Sequence, residues 1–140
     1  MSENEQYWTV EYRSGAYIAK TVEEASPRIL LEIAAVIRHP LQGDLHHPYR
    51  ADVAMFHERR AAAYREKVWV PKSTVEPYGG AVPTYAESLR HAWQEMVRSM
   101  DKIIDSADAS NGTEKDHELA QWASKSLEKL RVLEKDYWGS

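Results

Sequence analysis

Beyond Gly79-Gly80-Ala81-Val82-Pro83 the apolar residues fall at steps of three and four, and before it they do not. That change of period constrains the fold more than any single motif does. Steps of three and four stack on one face of a helix, whereas β-branched and aromatic runs broken by glycine and proline belong to strands. Thr84-Tyr85-Ala86-Glu87 fits a capping box, in which the threonine oxygen and the glutamate carboxylate each take an orphaned backbone N–H at a helix start. The face that follows carries Leu89, Trp93, Met96, Val97, Met100, Ile103 and Ile104. Asp108-Ala109-Ser110-Asn111-Gly112 has turn chemistry, and a second helix over about residues 114–137 carries Leu119, Trp122, Ala123, Leu127, Leu130, Leu133 and Tyr137. The two stripes are expected to face each other in an antiparallel hairpin. A hairpin buries only part of both, so the remainder must pack on the N-terminal unit or on another chain.

Upstream, Tyr7-Trp8-Thr9-Val10-Glu11-Tyr12, then Arg13-Ser14-Gly15, then residues 16–22 read as two strands joined by a glycine-containing turn. Residues 29–37 are almost continuously apolar after the breaker Ser26-Pro27, and their β-branched content favours a strand over a short helix. Residues 39–50 contain two prolines and a glycine and form a loop; loops of that length in a compact domain are functional or mobile. For residues 53–64 the Arg59-Arg60-Ala61-Ala62-Ala63 run favours helix by propensity, while a position between strands favours extended structure with a turn near Glu58-Arg59. The second is adopted here. Lys67-Val68-Trp69-Val70-Pro71 is a strand, and residues 72–78 suit one tight turn and a last short strand, an ending that resembles an SH3-like barrel. The expected fold is therefore α+β: an antiparallel SH3-like β-barrel over residues 1–80 and a helical hairpin over residues 81–140.

A net charge of −4 gives no broad positive field, so the phosphate-neutralising contribution that dominates nucleic-acid affinity has little to draw on. A module binding RNA or single-stranded DNA through Arg38, Arg50, Arg59, Arg60, Arg65 and Lys67 with Phe56, Tyr64 and Trp69 is the alternative reading. Asp44, Asp52, Glu58 and Glu66 offset most of that charge. The absence of cysteine removes disulfides, thiolate nucleophiles and thiolate metal sites. The polar, acidic start lacks the basic and apolar regions of a secretory signal, which places the chain in the cytosol.

His39, His46, His47 and His57 crowd one loop, but a metal site needs three or four ligands converging at about 2 Å, and His57-Glu58-Arg59-Arg60 has arginine where a zinc helix would supply its second histidine. No nucleophile elbow, phosphate loop or dinucleotide fingerprint occurs. No catalytic residue, metal or cofactor is expected. Trp138, at the chain end, is either a partner contact or a clasp on the barrel.

The segments Tyr12-Arg13-Ser14-Gly15-Ala16-Tyr17-Ile18, His39-Pro40-Leu41-Gln42-Gly43-Asp44-Leu45-His46, Phe56-His57-Glu58-Arg59-Arg60-Ala61, Val70-Pro71-Lys72 and Leu133-Glu134-Lys135-Asp136-Tyr137 resemble the kinase-associated protein B family of spore-forming bacteria. The resemblance spans nearly the whole chain. It implies an antiparallel β domain with a helical extension, and a role as accessory to a membrane sensor histidine kinase feeding the sporulation phosphorelay. Family members are sometimes called lipoproteins, yet no cysteine is present here to lipidate. The expected partner is a protein, a sporulation histidine kinase, met through His39, Gln42, Asp44, His57, Arg59, Arg60 and Trp138. The first six could equally hold the loop to its own barrel by hydrogen bonds.

Overall fold

A computed structural model describes residues 5–109 and 113–139. Five strands, β1 (Tyr7–Tyr12), β2 (Gly15–Ala25), β3 (Arg28–Arg38), β4 (Lys67–Pro71) and β5 (Glu76–Tyr78), precede two helices, α1 (Tyr85–Ala109) and α2 (Glu114–Trp138), with a 3-10 turn at Lys72–Thr74. The chain forms two compact units, residues 1–40 with 61–92 and residues 41–60 with 93–140. That division differs from the expected one at 80/81. Residues 41–60 go with the helices, and the first two turns of α1 go with the sheet. The expected turn before α2 falls partly on residues 110–112, outside the described residues.

The first unit is one antiparallel sheet in the order β4-β3-β2-β1-β5. The β1–β2 turn is Arg13-Ser14, both with positive φ, and Gly15 already pairs with Tyr12. Such a two-residue turn matches the twist of the strands it joins. Glycine is required at the pairing position instead, because a Cβ there would collide with the Tyr17 hydroxyl. That hydroxyl accepts the Ala62 N–H at 3.0 Å, and Tyr85 donates its own hydroxyl to the Ala62 carbonyl at 2.6 Å. Alternation sends Ile29, Leu31, Ile33 and Ala35 of β3 inward, and Val68 and Val70 of β4 likewise, while Trp69 stays on the outer face. The first turn of α1 is tied in by Ser88, whose Oγ accepts the Val36 N–H at 2.9 Å and donates to the Tyr85 carbonyl at 2.8 Å. Thr84 caps α1 by accepting the Glu87 N–H, while its hydroxyl donates to the Glu87 carboxylate.

The expected barrel does not close. β4 and β5 occupy opposite edges and are not paired, so the sheet is open. Only residues 72–75 separate those edges, and a link of that length spans at most about 18 Å. Four strand spacings in a flat sheet take about 19 Å, so the sheet has to curl without joining its edges. Three register shifts in the β2–β3 ladder, between Ala16/Tyr17, Ile18/Ala19 and Thr21/Glu23, supply local bends of the kind bulges produce.

Residues 53–64 form neither helix nor strand, and the turn lies at Tyr64-Arg65, where Arg65 has φ 70, and not near Glu58-Arg59. The physical reason is that side chains take the backbone groups. Ala62 gives both of its main-chain groups to tyrosine hydroxyls, leaving neither a helical nor a ladder partner for it.

In the second unit, Met96 and Met100 of α1 pack with Trp122, Ala123, Leu127 and Leu130 of α2, as facing stripes predict. α2 opens on a full capping box, with Thr113 accepting the Asp116 N–H at 3.2 Å and Asp116 accepting the Thr113 N–H at 3.0 Å. Trp93 donates its indole N–H to the Leu130 carbonyl at 2.9 Å, which fixes the register of the two helices.

Candidate functional site

Residues 41–60 are strapped to α2 in place of forming regular structure. Gln42, 3% exposed, uses its side-chain amide as a substitute backbone: Oε1 accepts the Arg59 N–H and Nε2 donates to the Arg59 carbonyl, both at 2.8 Å. The Gly43 N–H donates to the His57 carbonyl at 2.9 Å, and Arg59 Nε donates to the Gly43 carbonyl at 3.0 Å. Two segments of the loop are thereby joined in an imitation of a ladder. Trp122 then donates its indole N–H to the Gln42 carbonyl at 3.0 Å, and the Tyr49 ring meets Trp122 edge-on at 5.1 Å. Gly43 has φ 105, and a Cβ on it would sit 3.0 Å from the Phe56 ring, so glycine is needed at this close approach.

Asp44 closes the next turn. Its carboxylate accepts the His46 N–H at 2.9 Å and the His47 ring at 3.2 Å, and those bonds, the His46 N–H first, hold its pKa below the ordinary aspartate value. His57 keeps its ring exposed on this strapped loop. His39 belongs to the other unit and is fully buried; desolvation lowers its pKa to about 4, so it is neutral at pH 7. Its Nδ1 lies 3.0 Å from the Pro40 carbonyl.

Arg60 and Trp138, which sequence reasoning proposed separately, converge. Arg60 pairs with Asp136 at 2.8 Å, its guanidinium stands 5.8 Å over the Tyr137 ring, and Tyr137 meets Trp138 edge-on at 5.2 Å. Trp138 in turn packs edge-on against Trp93 at 5.7 Å. Within the second unit Trp138 thus packs on α1, whereas the expected clasp was on the barrel. The surface left is a cation flanked by two half-buried aromatic rings at the end of α2, where the Gly139 N–H caps the Lys135 carbonyl at 2.7 Å. Such a mixture of arginine and aromatic faces is the composition enriched in protein interfaces.

Of the seven candidate residues, then, Gln42 and Arg59 bind each other, Arg60 and Trp138 share one patch, and Asp44 and His57 sit on the same loop. His39 stands apart. Asp136, Tyr137 and Trp93, which complete the patch, were not among the seven. The Arg60–Asp136 pair spans 76 positions, and no local pattern announces it. Among the described residues, no group of three histidine, aspartate or glutamate side chains is arranged to hold a metal ion.

Residues 12–138 match the protein family described as kinase associated protein B. The chain is 41% identical over 127 residues to the kinase-associated lipoprotein B of Bacillus subtilis (strain 168), covering 91% of this chain and 88% of that protein. It is also similar to kinase-associated protein B from Bacillus cereus, whose X-ray crystal structure aligns with TM-score 0.66 at 29% identity over 98% of both chains. The chain belongs to the kinase-associated protein B family.

Proposed function

We propose that this protein is a non-catalytic accessory that docks on a sensor histidine kinase of the sporulation phosphorelay. The observation that carries the reading is the family match along residues 12–138, whose relatives bear a kinase association in their names. The docking face is the Arg60–Tyr137–Trp138 patch, continued by His57 and Asp44 on the strapped loop. Gln42 and Arg59 set the backbone of that loop, and buried His39 contributes to its own unit. Arg60 and the aromatic rings supply an anchor; the rim charges orient the encounter.

The chemistry of the loop supports binding over catalysis. Asp44 is engaged by His46 and His47, Arg50 by Asp52 and Arg59 by the Gly43 carbonyl. The same pairing disfavours nucleic acid as the partner, since Arg65 and Lys67 both face Glu32 and Arg38 faces Glu11. Among the described residues, no helix is long and apolar enough to cross a membrane. Association with a membrane would pass through the kinase, with this protein on its cytosolic side.

The test is a pull-down from native cytosol and membranes with the unmodified chain and with an Arg60→Ala/Trp138→Ala double variant. A histidine kinase is expected with the first and is depleted with the second. Recovery of no kinase by the unmodified chain would overturn the reading.

A further inference from the structure

The rings of the docking face stand in the last turn of α2, where a chain end gains order only when something ties it down. The Gly139 N–H fixes the backbone of that turn by donating to the Lys135 carbonyl at 2.7 Å, but a backbone bond leaves the Trp138 rotamer open. Trp93 closes it. This half-buried residue lies on α1 in the same unit and packs against the cluster that contains Met96, Met100, Trp122 and Leu130. Its ring is held in place, because the Leu130 carbonyl accepts its indole N–H at 2.9 Å. Trp138 meets it at 5.7 Å with the planes at 78°, and Tyr137 meets Trp138 at 5.2 Å and 69°. The Arg60 guanidinium stands 5.8 Å over Tyr137. Each group is thus oriented by the one before it, and the first is anchored in the core of the unit.

We propose that Trp93 is the positioning residue of the docking face, acting through Trp138 by selecting the rotamer that the kinase meets. The inference rests on the docking reading above and adds to it a residue behind the face. A side chain ordered before the encounter loses less entropy on binding than one that the partner must order. Without the Trp93 ring, Trp138 spreads over other rotamers, and the apparent affinity falls with the fraction that remains competent. One edge-on aromatic pair sets the scale of that fall at roughly fivefold.

The test measures the affinity of the full chain, and of its Trp93→Phe and Trp93→Leu variants, for the histidine kinase recovered in the pull-down. Both replacements are apolar and both lose the indole N–H, so a role confined to joining the helices predicts the same loss for each. Positioning predicts a difference. Phenylalanine keeps a ring for Trp138 to meet and should retain most of the affinity, whereas leucine should bind roughly fivefold more weakly than phenylalanine does. In a Trp138→Ala background Trp93→Leu should cost nothing further, as a double-mutant cycle requires of a residue that acts through Trp138. In the proton–nitrogen NMR spectrum of the free protein, the Trp138 indole resonance should shift on Trp93→Leu through loss of the ring current, and shift less on Trp93→Phe. Equal affinities of the two variants, a further loss in the Trp138→Ala background, or an unmoved indole resonance would overturn the inference while the docking reading stands. Failure of the natural chain to bind any histidine kinase would overturn both.

Discussion

Replacing Gln42 by alanine removes the two 2.8 Å bonds through which its amide replaces a strand neighbour for Arg59. Each is a neutral hydrogen bond with a net contribution of about 1 kcal/mol, and leaving the Arg59 groups without partners pushes the loss above that mean. Arg59 is only half-buried, so water reaches part of it and offsets the excess. The lost methylene, buried with the amide, adds about 0.8 kcal/mol. The expected loss is about 3 kcal/mol, roughly 10 °C in Tm for a chain of this length. Urea unfolding followed by tryptophan fluorescence reads it directly, since Trp122 is bonded to the Gln42 carbonyl. Gln42→Glu sharpens the test. A protonated carboxyl can reproduce both bonds, whereas a carboxylate faces the Arg59 carbonyl with no proton to give. Its folded pKa is therefore raised above the unfolded value of about 4.3, and its stabilisation is present below that value and lost as pH rises through the folded pKa. Relative to the natural chain, Gln42→Glu should cost more at pH 7 than at pH 4. A Gln42→Ala loss under about 0.5 kcal/mol, or a Gln42→Glu penalty independent of pH, would refute the substitute-backbone account, for which a lost pair of bonds sets the scale.

Gly43→Ala should destabilise the protein by about 1–2 kcal/mol, because φ 105 and the Phe56 ring at 3.0 Å both oppose a Cβ; an unchanged melting temperature contradicts this. Ser126 is 1% exposed and its hydroxyl has no hydrogen-bond partner among the described residues, so Ser126→Ala should raise stability by about 1 kcal/mol, checked by thermal melting, and a loss would show that the hydroxyl has a partner. His39 has a folded pKa of about 4, below its unfolded value, so its contribution is intact above about 6.5 and is lost as pH falls through the folded value. Between pH 7 and pH 4 the natural chain should lose up to about 3 kcal/mol more than His39→Gln does; parallel denaturation curves would contradict it.

The elements were legible where a period was. β3 is identified by its β-branched residues and α2 by Trp122, Leu127, Leu130 and Leu133, because burial on one face imposes spacing on sequence. Residues 53–64 were not, since the backbone groups of Arg59 and Ala62 are taken by the side chains of Gln42, Tyr17 and Tyr85, which lie far away in sequence. The SH3-like ending was read from the strand, turn and strand at residues 67–78, and those elements are present. Barrel closure, however, depends on edge pairing between β4 and β5, which no local pattern encodes. The candidate site follows the same rule. Crowded histidines on the loop suggested one cluster, yet the convergence that forms is Arg60 with Tyr137 and Trp138, and it depends on how α2 ends beside residue 60.

The most direct measurement of the docking account is amide hydrogen exchange on the whole protein, alone and saturated with a sensor histidine kinase purified from the native membrane. Slowed exchange at residues 57–60 and 133–138 is the predicted result. Unchanged exchange across both segments at saturating kinase would contradict it.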